Sequence, residues 1–152
     1  MMQKAKIKKK NIYSGNLGID LKSGKEKELF KWFLASLLFG KPIQQGVAKM
    51  AYFELEKEGI LSPEEILRAG WDKLVEILDR GHYVRYDFST ATKLLEISKE
   101  LQQRYGSLSV LLRQSKNRKD LETRLQEFKG VGPVTTRIFL REFKAWSKNN
   151  RK

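Results

Sequence analysis

Residues 128–139, FKGVGPVTTRIF, decide how this chain is read. A helix runs into Phe128, stops, and restarts at Pro133. Gly130 and Gly132 supply backbone angles that other residues resist. Val131 between them points into the interface of the two helices. Pro133 suits the first turn of the new helix, where its missing N–H costs nothing. The glycines leave backbone N–H groups bare, and those groups form an anion site together with the helix start.

The charge balance says which anion. Lysine and arginine number 31 against 18 acids, a net charge of +13. A surface of that sign speaks to partners rather than to fold, and nucleic acid is the commonest such partner. The 152 residues favour one domain with a real core. Hydrophobic residues at 40% and aromatics at 11% exclude a chain disordered throughout. Zero cysteines exclude disulfides, iron–sulfur clusters and cysteine-ligated zinc. His82 is the single histidine, which argues against a histidine metal site, so no cofactor is expected. The apolar run from Trp32 to Phe39 is too short to span a bilayer. No apolar stretch follows the basic start, MMQKAKIKKK. The expectation is an intracellular protein, cytoplasmic or nucleoid-associated, without a membrane partner.

Upstream of the hairpin the punctuation is helical. Ser23 with Glu26 reads as a capping box opening a helix. Leu29, Phe30, Phe33, Leu34, Leu37 and Leu38 then mark a broad buried face. Gly40-Lys41-Pro42 stops that helix, and a second runs from about Ile43 to Lys57. Gly59 followed by Ile60 suits a Schellman-type end. Ser62-Pro63-Glu64-Glu65 is a further start. Gly70 divides the helix that follows, and Trp71 to Arg80 makes the next. Phe88 to Tyr105 is a longer amphipathic helix. Gly106-Ser107 closes it and caps a short helix from Leu108 to Leu112. Lys119 to Phe128 and Pro133 to about Lys148 complete the set. No alternating strand pattern appears. The expected fold is an all-α multi-helix bundle of about eight helices. A basic, flexible N-terminal segment spans 1–22, and one helical domain spans 23–152 with the hairpin at about 119–148.

The hairpin resembles the helix-hairpin-helix motif, with Phe128, Gly130, Val131 and Gly132 at its hydrophobic and glycine places. The wider chain resembles the endonuclease III-like branch of the helix-hairpin-helix DNA glycosylases. Leu37 to Gln45 looks like that family's polar loop after an early apolar helix. Gly81-His82-Tyr83-Val84-Arg85, leading to Ala91-Thr92-Lys93-Leu94, looks like its middle segment, and Tyr105-Gly106 like the pair before its hairpin. These matches run in order from about Leu29 to Phe143. The resemblance implies a six-helix barrel, double-stranded DNA (damaged DNA included) as partner, and room for a monovalent cation at the hairpin.

The chain departs from that family at its chemistry. Bifunctional members carry a nucleophilic lysine two residues after the second hairpin glycine, and here Val134 stands there. The family's aspartate would fall near Lys152, and no acid follows Glu142. Asp87 is the one catalytic candidate, against its plainer reading as a helix N-cap or first-turn acid. By resemblance Lys41, Gln44 and Gln45 face the duplex, where relatives fill the gap left by a flipped base; by residue type alone they are a polar turn around Pro42. Lys129, Thr135 and Arg137 flank the hairpin as phosphate contacts, with Gly130, Val131 and Gly132 as its backbone. His82 and Tyr83 are either base-pocket or packing residues, whereas Trp32, Trp71 and Trp146 are packing. Lys4, Lys6, Lys8, Lys9 and Lys10 add nonspecific phosphate contacts. The leading expectation is a DNA-binding protein of the base-excision-repair class without standard glycosylase or lyase chemistry. The alternatives are a monofunctional DNA glycosylase, or a fragment of one, and an RNA- or protein-interaction module that uses the hairpin as a joint.

Overall fold

The structure, a computed structural model, describes residues 11–143. Among them are seven α-helices, three short 3-10 turns and no strand. The helices are α1 (Glu26–Phe39), α2 (Gln45–Lys57), α3 (Pro63–Arg80), α4 (Asp87–Arg104), α5 (Leu108–Gln114), α6 (Arg118–Gln126) and α7 (Pro133–Leu140). The all-α expectation holds. Gly70 interrupts α3 at φ 81° and ψ 171°, angles outside the helical range, so α3 is two helices meeting at a kink, as expected on either side of Gly70.

α1 is the centre of the bundle. Ten of its residues are buried, among them Trp32, Phe33, Leu34, Ala35 and Leu38, which are fully inaccessible. A helix that is apolar around most of its circumference must be wrapped by others. α2, α5 and α7 pack against it, α3 joins α2, and α4 lies along α3. Trp32 donates its indole N–H to the Phe139 carbonyl at 3.0 Å, which ties α1 to the last helix. Tyr83, fully buried, donates its hydroxyl to the Leu38 carbonyl at 2.6 Å. Burial pushes the Tyr83 phenol well above its ordinary value. Trp32 and Tyr83 are therefore core, and Trp71 sits at the rim with its indole N–H on Thr92 Oγ1.

Most of the expected stops and starts are present. Gly59 has φ 72°, and the Ile60 N–H reaches the Leu55 carbonyl at 3.0 Å, a Schellman closure. Ser62 caps α3 through the Glu65 N–H, and Ser107 caps α5 through the Val110 N–H. Two expectations change. The Ser23/Glu26 capping box does not form: Lys25 is the N-cap of α1, with no side-chain cap. The Glu26 carboxylate instead accepts the Leu108 and Ser109 N–H groups and the Ser109 hydroxyl, capping α5 across the bundle. The last helix ends at Leu140, where Arg118 donates to the Leu140 and Phe143 carbonyls.

The segment assigned to 1–22 is also not all free of the domain. Ile12, Leu17 and Ile19 are buried in the common core. The arm is fastened by the Ser14 hydroxyl and N–H to Glu142, and by Arg141 to the Ile12 carbonyl. The five tail lysines, Trp146 and the expected end of the last helix lie outside the described residues.

Replacing Glu26 with Ala should destabilise the fold by about 1.5–3 kcal/mol, the cost of losing hydrogen bonds to a charged group. Ser23→Ala should stay within about 0.5 kcal/mol. Urea unfolding midpoints of the two variants check this, and equal effects would contradict the cross-bundle cap.

Candidate nucleic-acid interface

The hairpin is a tight turn closed by the Val131 N–H on the Phe128 carbonyl at 3.0 Å. Phe128 and Val131 are buried anchors, and the turn between them stands at the surface. Gly130 has φ 99°, the left-handed side that favours glycine. A Cβ there would also lie 2.8 Å from Lys93 Cδ. Gly132 differs from what its sequence suggests. Its backbone is extended (φ −107°, ψ −170°), which any residue adopts, and a Cβ on it would meet nothing within 4 Å. The fold has no use for a glycine at 132.

Gly132 is the N-cap of α7, and no side chain caps that helix. The N–H groups of Val134 and Thr135 thus remain without intrahelical acceptors, as at any helix start. Two of the expected contacts are corrected. The Thr135 side chain is 6% exposed, because it packs against Gly40, where a Cβ would come 2.2 Å from its Oγ1. Val131 is buried and its N–H is spent in the turn. Thr135 therefore offers a phosphate only its backbone, and Val131 neither N–H nor side chain. The Gly132 carbonyl is engaged by the Thr136 N–H and hydroxyl, and that of Phe128 by Val131. Among the described residues no group of three or more His, Cys, Asp or Glu could hold a metal ion.

Beside the turn lies a pocket of about 180 Å³ between the hairpin, the end of α1 and the start of α4. Lys41 and Lys93 enter it, with Leu37, Leu94 and Val134 among its apolar walls. Lys41 is thus the expected loop residue that meets the hairpin. Gln44 is exposed as the N-cap of α2 and Gln45 half-buried as its first residue, and neither lines the pocket. Arg137 is exposed in a separate cleft between α6 and α7, shared with Arg118 and Glu122. Lys129 is exposed on the turn. Asp87 opens α4, accepts the Phe88 N–H at 2.6 Å and neighbours Asp79, whose carboxyl it raises. That is the geometry of a first-turn acid, outside the pocket.

Cations without a carboxylate partner occur here and elsewhere on the described surface, beside others that are paired. Arg80, Arg104, Arg118 and Arg124 all pair with carboxylates. Among the described residues, Lys41, Lys93, Lys129 and Arg137 have no carboxylate within ion-pair distance. Burial, and then the neighbouring Lys93 ammonium, bring Lys41 down to about 8. Thr90, 3% exposed, lines the same pocket. Its hydroxyl lies beside that of Tyr83 but meets no partner in hydrogen-bond geometry among the described residues.

Sequence reasoning missed Lys93 and Thr90. The signal was there: Thr90, Lys93, Leu94 and Ile97 share one face at helical spacing. A lysine on an otherwise inward face is a conflict between residue type and position.

The lowered amine gives a stability prediction. Lys41 loses its proton more readily folded than unfolded, so its ammonium weakens the fold at every pH below about 8. That penalty disappears as pH rises from about 8 to the ordinary value of 10.5. Lys41→Met should therefore raise Tm at pH 7, with a gain that shrinks through this window, as read by thermal unfolding at several pH values.

Comparison of the chain with family models, with curated proteins and with solved structures finds no match.

Proposed function

We propose that this chain binds double-stranded DNA through the hairpin, holding the phosphates of one strand without reading base sequence. Gly132 carries the reading. Its backbone conformation and its surroundings accept a side chain, so what a glycine gains there is close approach by something outside the chain. The N–H groups at that point favour an anion. Lys41, Lys93, Lys129 and Arg137 add positive charge that no described carboxylate neutralises. The net charge of +13 adds long-range attraction. Action near base-excision repair is the biological setting this suggests. Base excision by the chain itself is the weaker alternative, since no carboxylate among the described residues lines the pocket.

Fluorescence anisotropy on a short duplex across a salt series tests this. Log affinity should fall linearly with log salt and vary little with sequence. Lys129→Ala should reduce that slope by about one. Gly132→Ser should keep or slightly raise stability, since serine is a good N-cap. It should weaken binding about tenfold, roughly 1.4 kcal/mol, because its side chain occupies the approach and its hydroxyl competes for the free N–H groups. A chain indifferent to duplex at low salt, or a Gly132→Ser variant that binds as before, overturns the proposal.

A further inference from the structure

We propose that the outer face of α3 and α4 is a docking surface for a lysine- or arginine-bearing segment of another protein, with Trp71 and Phe88 as its anchors. None of the residues named for it lines the pocket beside the hairpin, so this face and the DNA-binding reading stand or fall separately. Trp71 is 38% exposed and Phe88 60%. Their ring centroids lie 5.0 Å apart. Two large aromatic rings side by side in solvent do little for the core, and side chains of this kind are what protein interfaces are anchored on.

The pair is also held still. The Trp71 indole N–H donates to Thr92 Oγ1 at 3.0 Å, one turn along α4 from Phe88. That bond satisfies the polar group of the indole and fixes the ring against α4. Gly70 breaks α3 immediately before Trp71, at φ 81° and ψ 171°, angles that essentially only glycine adopts. A Cβ there would meet nothing within 4 Å, so the glycine serves the kink and not a close neighbour. An aromatic pair fixed in advance loses little freedom when a partner seats on it.

Charge selects the occupant. Asp72 follows Trp71 directly, Glu76 and Asp79 stand at the next two turns of α3, and Glu96 lies one turn beyond Thr92 on α4. All four are exposed, and none has a described lysine or arginine within ion-pair distance. The basic residues of α3 reach other carboxylates: Lys73 and Arg80 go to Glu58, and Arg68 to Glu65. Arg85 lies over the Tyr86 ring at 5.5 Å, and Lys99 lies past Glu96, away from Trp71. A chain of net charge +13 thus keeps carboxylates without cation partners around two exposed rings. A phosphate is repelled there. An ammonium or guanidinium gains from the carboxylates and from the ring faces, and its methylene stem packs on the rings.

Two-dimensional amide and indole NMR on the intact chain, titrated with a short lysine–leucine peptide, tests this. The Trp71 indole N–H and the amides of Asp72, Phe88 and Glu96 should shift saturably below about 1 mM peptide, and binding should weaken as salt rises. The same peptide with glutamine for lysine should bind at least about tenfold more weakly. Phe88→Ser should weaken binding at least about fivefold, and Asp72→Asn with Glu76→Gln at least about threefold. A Phe88→Ser variant that binds as before overturns the aromatic anchors, an equally bound glutamine peptide overturns the role of charge, and no saturable shift overturns the surface. Shifts of the same signals on adding duplex or single-stranded DNA make this a nucleic-acid face and overturn the protein partner. Movement of these signals without peptide, when Lys4, Lys6, Lys8, Lys9 and Lys10 are changed to Gln in the full chain, makes the chain's own tail the occupant and overturns a separate partner.

Discussion

Everything in this bundle depends on how α7 seats on α1. Two contacts fix that seating. The Trp32 indole N–H reaches the Phe139 carbonyl inside a closed core, where an unmet donor would cost the full desolvation of the group. At the other end Thr135 lies so close to Gly40 that no side chain fits between them. α7 therefore cannot slide or rotate on α1 without breaking a buried hydrogen bond or forcing backbone apart. The Phe33 and Phe139 rings, edge to face at 5.6 Å, fill the space between the two contacts.

That seating creates the site. Gly40 ends α1, so the close approach of Thr135 brings the start of α7 against the loop that carries Lys41. Tyr83 bonds the Leu38 carbonyl one turn earlier and draws the start of α4, with Thr90 and Lys93, to the same end. Residues far apart in the chain thus meet at one mouth for reasons of core packing. The outer segments follow the same logic: Arg118 closes α7 at its far end, and Arg141 and Glu142 fasten the arm that buries Ile12 and Leu17.

The electrostatics are equally uneven. Arginines on α3, α4 and α6 are matched by carboxylates and contribute mainly local order; exposed pairs of this kind are worth little. The lysines at the mouth have no such match among the described residues. Their mutual repulsion opposes folding and is outweighed by burial in the rest of the core.

Local rules were legible in the sequence because they are local. Gly59 with Ile60, Ser62 with Pro63, and Gly106 with Ser107 act on their own neighbours, so helix ends could be read from residue type. The buried face of α1 followed from its spacing, and the hairpin from two glycines and a proline. What the sequence could not carry was choice among partners. Glu26 stands three residues after Ser23, as in a capping box, yet it caps α5, because folding brings more free N–H groups to it than its own helix offers. Gly130 and Gly132 look alike as letters, and only the folded turn shows that one is needed for its φ and the other is not. Thr135 reads as a surface hydroxyl until Gly40 arrives from the other end of the chain. Lys93 was a misplaced charge on a helix face until the hairpin and Lys41 closed around it. The sequence by itself determined where most helices stop and restart, which face α1 buries and that the net charge is positive. Tertiary structure alone decided which polar groups meet, because long-range burial chooses among partners that spacing leaves equivalent.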